Sequence, residues 1–198
     1  MNYQTLSKAI GIFVVGLVAC CLWIGWSEKN MTGSVSYSIE IELPLVQAWE
    51  KLQDLSLAHH YVPGLKNTEI TTDKTQGVGA SRRVFQGGSS YVDETVEEWN
   101  EGQGFLIRLH KGETGKPPLF NKAWFRYAIE DNGKGGTTFT PSMTYEMPWG
   151  GFGSLLERLL LKKVFIGVLR DVAIAMKDYY ETGEAVGPDR LKALKAAR

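Results

Sequence analysis

Residues 34–43 read SVSYSIEIEL, with Val35, Tyr37, Ile39, Ile41 and Leu43 apolar at every second position. That period of two marks a strand with one buried face. Pro44 stops it and suits the first turn of a helix. Val46, Trp49 and Leu52 then recur at helical spacing, so a short helix runs to about Leu55. The stretch AHHYVPG at 58–64 is a second short helix or turn, closed by Pro63-Gly64. Strands are predicted over 68–72, 79–86, 91–99, 105–110, 122–131 and 137–147. Gly87-Gly88-Ser89-Ser90 and the glycine-rich 132–136 are hairpin loops, and Asn100-Glu101-Gly102 is a turn. Nothing helical separates these strands, so the sheet is expected to be antiparallel. A long helix closes the pattern. Ser154 and Glu157 form a capping box, the body covers 155–182 at roughly 42 Å, and Gly183 is the natural stop. Phe165, Leu169, Val172, Met176 and Tyr179 or Tyr180 share its apolar face, with Lys163, Arg170 and Lys177 opposite. Residues 184–198 read as a short frayed tail.

The other strong pattern is an unbroken apolar run over 9–26, interrupted only by glycines. As a helix it spans roughly 27 Å, near the thickness of a bilayer core. Trp23 and Trp26 sit at its end, where interfacial aromatics belong. A retained single-pass anchor is the leading reading. A cleaved signal peptide is disfavoured, because no small-x-small site ends the run. The third reading is a lipoprotein signal. Leu17-Val18-Ala19-Cys20 resembles a bacterial lipobox and would make Cys20 a lipidated terminus, although Cys21-Leu22-Trp23 continues apolar. Lys8 before the run, against Glu28 and Lys29 after it, favours a domain on the extracytoplasmic (periplasmic) side, by a single charge.

Composition sharpens this by exclusion. The 198 residues carry 22 basic and 22 acidic side chains, which argues against a nucleic-acid binder. The two cysteines are adjacent, Cys20 and Cys21, so they cannot staple distant segments. His59, His60 and His110 show no metal-ligand spacing, and there is no G-x-S-x-G, so no metal, cofactor or catalytic residue is assigned.

Seven antiparallel strands are too wide to stay flat. They curl, and a long helix can lie across the concave face and leave a cavity. The segments SIEIELPLVQAWEKLQDL at 38–55, VPGLKNTEI at 62–70 and GVGASRRVF at 77–85 carry a resemblance, continued by ETVEEWNEGQGFLIRL at 94–109, GGTTFTPSMTYEM at 135–147 and GSLLERLLLKKV at 153–164. In order and spacing the chain resembles the SRPBCC (START-like, helix-grip) superfamily, in its polyketide cyclase/dehydrase-like branch. The resemblance implies an α+β helix-grip fold: a curved seven-stranded antiparallel sheet around a long C-terminal helix, with two short helices after strand 1. The organisation is then a flank at 1–8, a transmembrane helix at 9–26, a linker at 27–33, the helix-grip domain at 34–183 and a tail at 184–198.

Such a domain is expected to bind or shuttle a hydrophobic small molecule, such as a lipid, quinone or isoprenoid. The resemblance also leaves open a cyclase/dehydratase-like enzyme using Arg82/Glu94 or His59/Tyr61 for acid–base work, and an interaction module with a filled core. In the 79–99 hairpin, one register sets Arg82 opposite Glu94 on the face of Val84, Val92 and Val96. Facing the cavity, that pair would orient a ligand; facing solvent, it would be an ordinary cross-strand pair. Tyr61, Trp124, Tyr127, Tyr145, Phe165 and Leu169 are the expected ligand-lining residues, most aromatics otherwise being core. Arg158 and Lys162 precede Phe165 on its own stripe. They either overhang the sheet edge or crown the cavity mouth and attract an anionic headgroup.

Overall fold

The computed structural model describes residues 32–148 and 161–197. The expected membrane segment at 9–26, Cys20, the Ser154/Glu157 capping box and Arg158 lie outside the described residues. Among the described residues no helix is long and apolar enough to cross a membrane.

The chain order is β1 (Thr32–Ser36), β2 (Ile39–Ile41), α1 (Leu45–Leu52), a 3₁₀ turn (Leu55–Leu57) and α2 (Ala58–Tyr61). Six strands follow: β3 (Asn67–Ile70), β4 (Ser81–Gly87), β5 (Ser90–Asn100), β6 (Gly104–His110), β7 (Lys122–Asp131) and β8 (Thr137–Glu146). The helices α3 (Lys162–Thr182) and α4 (Pro188–Ala196) end the chain. The strands form one antiparallel sheet in the order β1-β8-β7-β6-β5-β4-β3, with β2 also paired to β8. This is the expected helix-grip arrangement.

Two elements differ from the sequence reading. The first strand is broken at Tyr37-Ser38, giving eight strands for the expected seven. The break has a local cause. Val35 pairs with Met143 and Ile39 with Phe139, so Tyr37 lies opposite Pro141 in one continuous register. The Tyr37 amide donates to the Pro141 carbonyl at 3.1 Å, but proline has no N–H to return. Alternation survives the break: Val35, Ile39 and Ile41 are all buried. The second difference is the tail. Residues 188–196 are helix, started by Pro188 at its first turn, and Leu191 is buried in the core. Arg190 bonds Asp178 and Glu184, and Lys195 reaches Asp171 at 2.6 Å.

The sheet curves where its ladder is irregular. The β5–β6 register shifts between Val96 and Glu98, so Glu97 is an extra, bulged residue. Next to it, Gly104 opens β6 at φ 131°, where a Cβ would lie 1.9 Å from the Tyr127 carbonyl oxygen. Only glycine fits there. Across the concave face lies α3, ended by Gly183 in the left-handed conformation with its amide on the Tyr179 carbonyl at 2.8 Å. One apolar cluster unites α1, the inner sheet face and the C-terminal half of α3. A second, around Val35, Phe120, Tyr145 and Phe165, fills the other end.

Candidate functional site

Alternation along β4 and β5 turns Arg82, Val84, Val92, Glu94 and Val96 toward the helix. Arg82 pairs directly with Glu94 in the ladder, and its side chain is only 2% exposed. Its Nε donates to Glu94 Oε2 at 2.6 Å, one terminal nitrogen to the Leu55 carbonyl at 2.9 Å, and the other to the Tyr127 hydroxyl at 3.3 Å. Leu55 opens the 3₁₀ turn that Asp54 caps, its carboxylate accepting from the Ser56 amide and hydroxyl. The guanidinium is thus held by acceptors from three parts of the chain. Burial works against its charge, but the Glu94 carboxylate and nearby tyrosine oxygens outweigh it and hold Arg82 protonated.

Two more hydroxyls are buried nearby. Tyr61 from α2 and Tyr180 from α3 meet edge to face, ring centroids 6.0 Å apart, and among the described residues neither hydroxyl has a hydrogen-bond partner. Tyr61 lies near the guanidinium but outside hydrogen-bond geometry. Burial pushes the Tyr61, Tyr127 and Tyr180 hydroxyls above their ordinary value. They are therefore proton donors at neutral pH, not bases. A buried hydroxyl without a partner costs roughly 1–3 kcal/mol, so two in one cluster mark it as more than packing.

Beside this cluster a cavity of about 230 Å³ opens between sheet and α3. Its walls are mostly apolar, among them Val84, Val92, Met143, Phe165 and Leu169, and Gln86, Glu94 and Tyr127 are its polar-bearing lining residues. The volume lies below the roughly 300–1,000 Å³ of drug-sized pockets, which suits a slender chain or a single ring. A mostly apolar wall with a few convergent polar groups is the usual make-up of a small-molecule site.

The expected residues divide cleanly. Glu94, Tyr127, Phe165 and Leu169 line the cavity. Arg82 and Tyr61 do not line the cavity; Arg82 is linked to it through its hydrogen bonds to Glu94 and Tyr127. Tyr145 is buried in the second cluster, with centroids 5.3 Å from Phe120 and 4.9 Å from Phe165. Trp124 is a correction. It shares the outer sheet face with Leu106, Arg126, Ser142 and Thr144, and its Nε1 donates to Glu97 Oε2 at 2.8 Å. Strand alternation dictates this, since Ala123, Phe125 and Tyr127 point inward. Lys162 is exposed and does not line the cavity. His59 and Tyr61 do not converge. His59 lines a separate, open groove of about 440 Å³ beside α4, whereas Tyr61 faces the core. Among the described residues no cluster of three or more His, Cys, Asp or Glu could hold a metal ion. Sequence reasoning did not assign Leu109 and Val168 to the cavity, and it placed Tyr180 only as one of two alternatives on the apolar face of the helix, without a role.

The family profile described as polyketide cyclase / dehydrase and lipid transport matches residues 32–181. The chain belongs to that family. Its helix-grip fold is shared with solved structures at low identity. One is a crystal structure of Ara h 8.0201, at 17% identity and a TM-score of 0.52, covering 76% of this chain and 98% of that one. Another is a solution NMR structure of a protein from Thermobifida fusca, at 17% identity and a TM-score of 0.58, covering 74% and 92%. No curated protein sequence matches the chain. Membership of this polyketide cyclase / dehydrase and lipid transport family agrees with binding of a hydrophobic ligand.

Proposed function

We propose that this protein is a membrane-tethered carrier of a hydrophobic small molecule that bears one polar group, a lipid, quinone or isoprenoid-like compound. The observation that supports the reading best is the mostly apolar cavity with Gln86, Glu94 and Tyr127 among its lining residues. Apolar surface buried there contributes about 25 cal/mol per Å². Glu94 Oε2 is engaged by Arg82, which leaves the other carboxylate oxygen to accept from a ligand hydroxyl or N–H. The Tyr127 hydroxyl, already accepting from Arg82, retains its proton for a ligand oxygen. The apolar run at 9–26 supplies the tether.

A second reading keeps Glu94 as a base in a cyclase or dehydratase, and the same carboxylate at the cavity wall favours it. An interaction module with a filled core fits poorly with the cavity. Native mass spectrometry of the detergent-extracted full chain tests the carrier reading. Wild type should carry a hydrophobic adduct, and Leu169→Trp, which fills the cavity, should lose it. A wild-type protein free of adducts, unable to take up any lipid or quinone offered, would sink the proposal.

A further inference from the structure

The place where the chain enters the sheet constrains how a tether would hold it. Thr32, the first residue of β1, pairs with Glu146, the last of β8, and Lys122, the first of β7, pairs with Glu146 from the other side. The end of the sheet that receives the N-terminal segment therefore also holds the 111–121 loop, the Gly88-Ser89 turn and the start of α3. The cavity lies at this same end, since Val84, Val92, Leu109 and Met143 all sit within a few rungs of it. The opposite end carries the turns at Gly102 and Gly133 and the C-terminus of α3.

Between the apolar run and Thr32 stand only the five residues 27–31. Fully extended, they span at most about 18 Å. A domain on so short a lead keeps its cavity end beside the bilayer.

The surface of that end fits such a neighbour. Leu119 is 72% exposed and holds φ 71°, the left-handed region that leucine avoids. Phe120 packs on Phe165 at 5.5 Å, which brings the Leu119 loop to the first turns of α3. There Val164 and Val168 are 56% and 53% exposed, and Val168 also lines the cavity. Exposed Lys116, Lys162 and Lys163 flank these apolar side chains, against Glu113 in the same loop. The far end instead exposes Glu42, Glu101, Asp131 and Glu181, with Lys134 among them. Apolar side chains ringed by lysines suit the interface of an anionic bilayer, and carboxylates at the far end are repelled by it.

We infer that the Leu119–Val164–Val168 end is the face that docks on the bilayer, and that the cavity exchanges ligand with that same membrane in place. The inference rests on the tether reading of residues 9–26. It separates an in-place extractor from a carrier that ferries cargo between membranes.

The test uses the full chain with Cys20→Ala and Cys21→Ala, carrying one bimane-labelled cysteine: Leu119→Cys, Val164→Cys or, at the far hairpin, Lys134→Cys. Each is reconstituted in phosphatidylcholine/phosphatidylglycerol vesicles with and without brominated acyl chains. Fluorescence should fall in brominated vesicles at 119 and 164 and stay unchanged at 134. Unquenched labels at 119 and 164 on protein that floats with the vesicles would overturn the docking face and leave the tether standing. Labels at these sites shielded from aqueous iodide yet untouched by bromolipid would also overturn it, because the patch would then be covered by residues 149–160 or by a second copy. A chain that fails to float with vesicles defeats the tether reading itself, and the docking face with it.

Discussion

A guanidinium with no route to water is costly, and Arg82 is tolerated because three of its neighbours accept from it. Taking two charges out of water costs several kcal/mol per ion, repaid only by good geometry and additional hydrogen bonds. The 2.6 Å contact with Glu94 and the bonds to Leu55 and Tyr127 supply those conditions. Removing one partner should therefore hurt more than removing both. Glu94→Ala leaves a buried cation alone and is expected to cost about 3–5 kcal/mol of unfolding free energy. Arg82→Met combined with Glu94→Leu should recover most of that loss, the remainder being the Leu55 carbonyl left without its donor. Urea titration of Glu94→Ala beside Arg82→Met, Glu94→Leu and their double variant closes the cycle. A double variant as unstable as Glu94→Ala alone would show that the pair is not what carries the cost. At this scale the pairing was legible in the sequence, because alternation and one hairpin register bring Arg82 and Glu94 together. The Leu55 carbonyl was not legible, since it depends on where a turn 27 residues away comes to rest. Trp124 misled for a different reason. Its size suggests a pocket residue, but its position is fixed by the pleat, and Glu97 gives its N–H a partner on the outer face.

Elements were readable wherever local pattern decided them. The hairpin strands, the short helices and the Gly183 stop follow from period, proline and glycine. Two differences of detail both arose from what a segment meets. Nothing in SVSYSIEIEL announces that Pro141, more than a hundred residues later, will lie opposite Tyr37 and remove one ladder bond. Likewise residues 188–196 have few apolar positions and look frayed on their own. They fold because Leu191 finds the core and because Arg190 and Lys195 meet carboxylates on α3. Helices this short are marginal without such packing. Leu191→Ala should therefore destabilise the protein by about 2 kcal/mol, near the low end for a buried leucine because the site lies at the domain margin. Lys192→Ala, one residue on and exposed, should stay within about 0.5 kcal/mol of wild type. Thermal or urea unfolding distinguishes them. Equal, negligible effects at both positions would mean that the segment is not held in solution.

For the whole molecule, the fold followed from a count: many short strands without crossover helices, then one long helix, leave a curled sheet with something gripped inside. What the pattern could not supply was which end of the sheet holds the cavity, because that depends on the registers of all the strands together. Once the registers are known, the β1–β8 pairing sets the entry point of the chain beside the cavity. This makes linker length a functional variable. A flexible segment of five residues reaches roughly 12 Å in root-mean-square terms, whereas 45 residues reach roughly 37 Å. Inserting 40 Gly/Ser residues between Met31 and Thr32 should leave uptake of a fluorescent lipid from the host bilayer nearly intact. The same insertion should raise delivery to a second, closely docked vesicle population, because the cavity can then leave the surface that loads it. The native chain should take up lipid from its own bilayer and deliver little. If native and extended chains deliver equally well, the short lead is not what confines exchange, and the cavity must release its ligand through water.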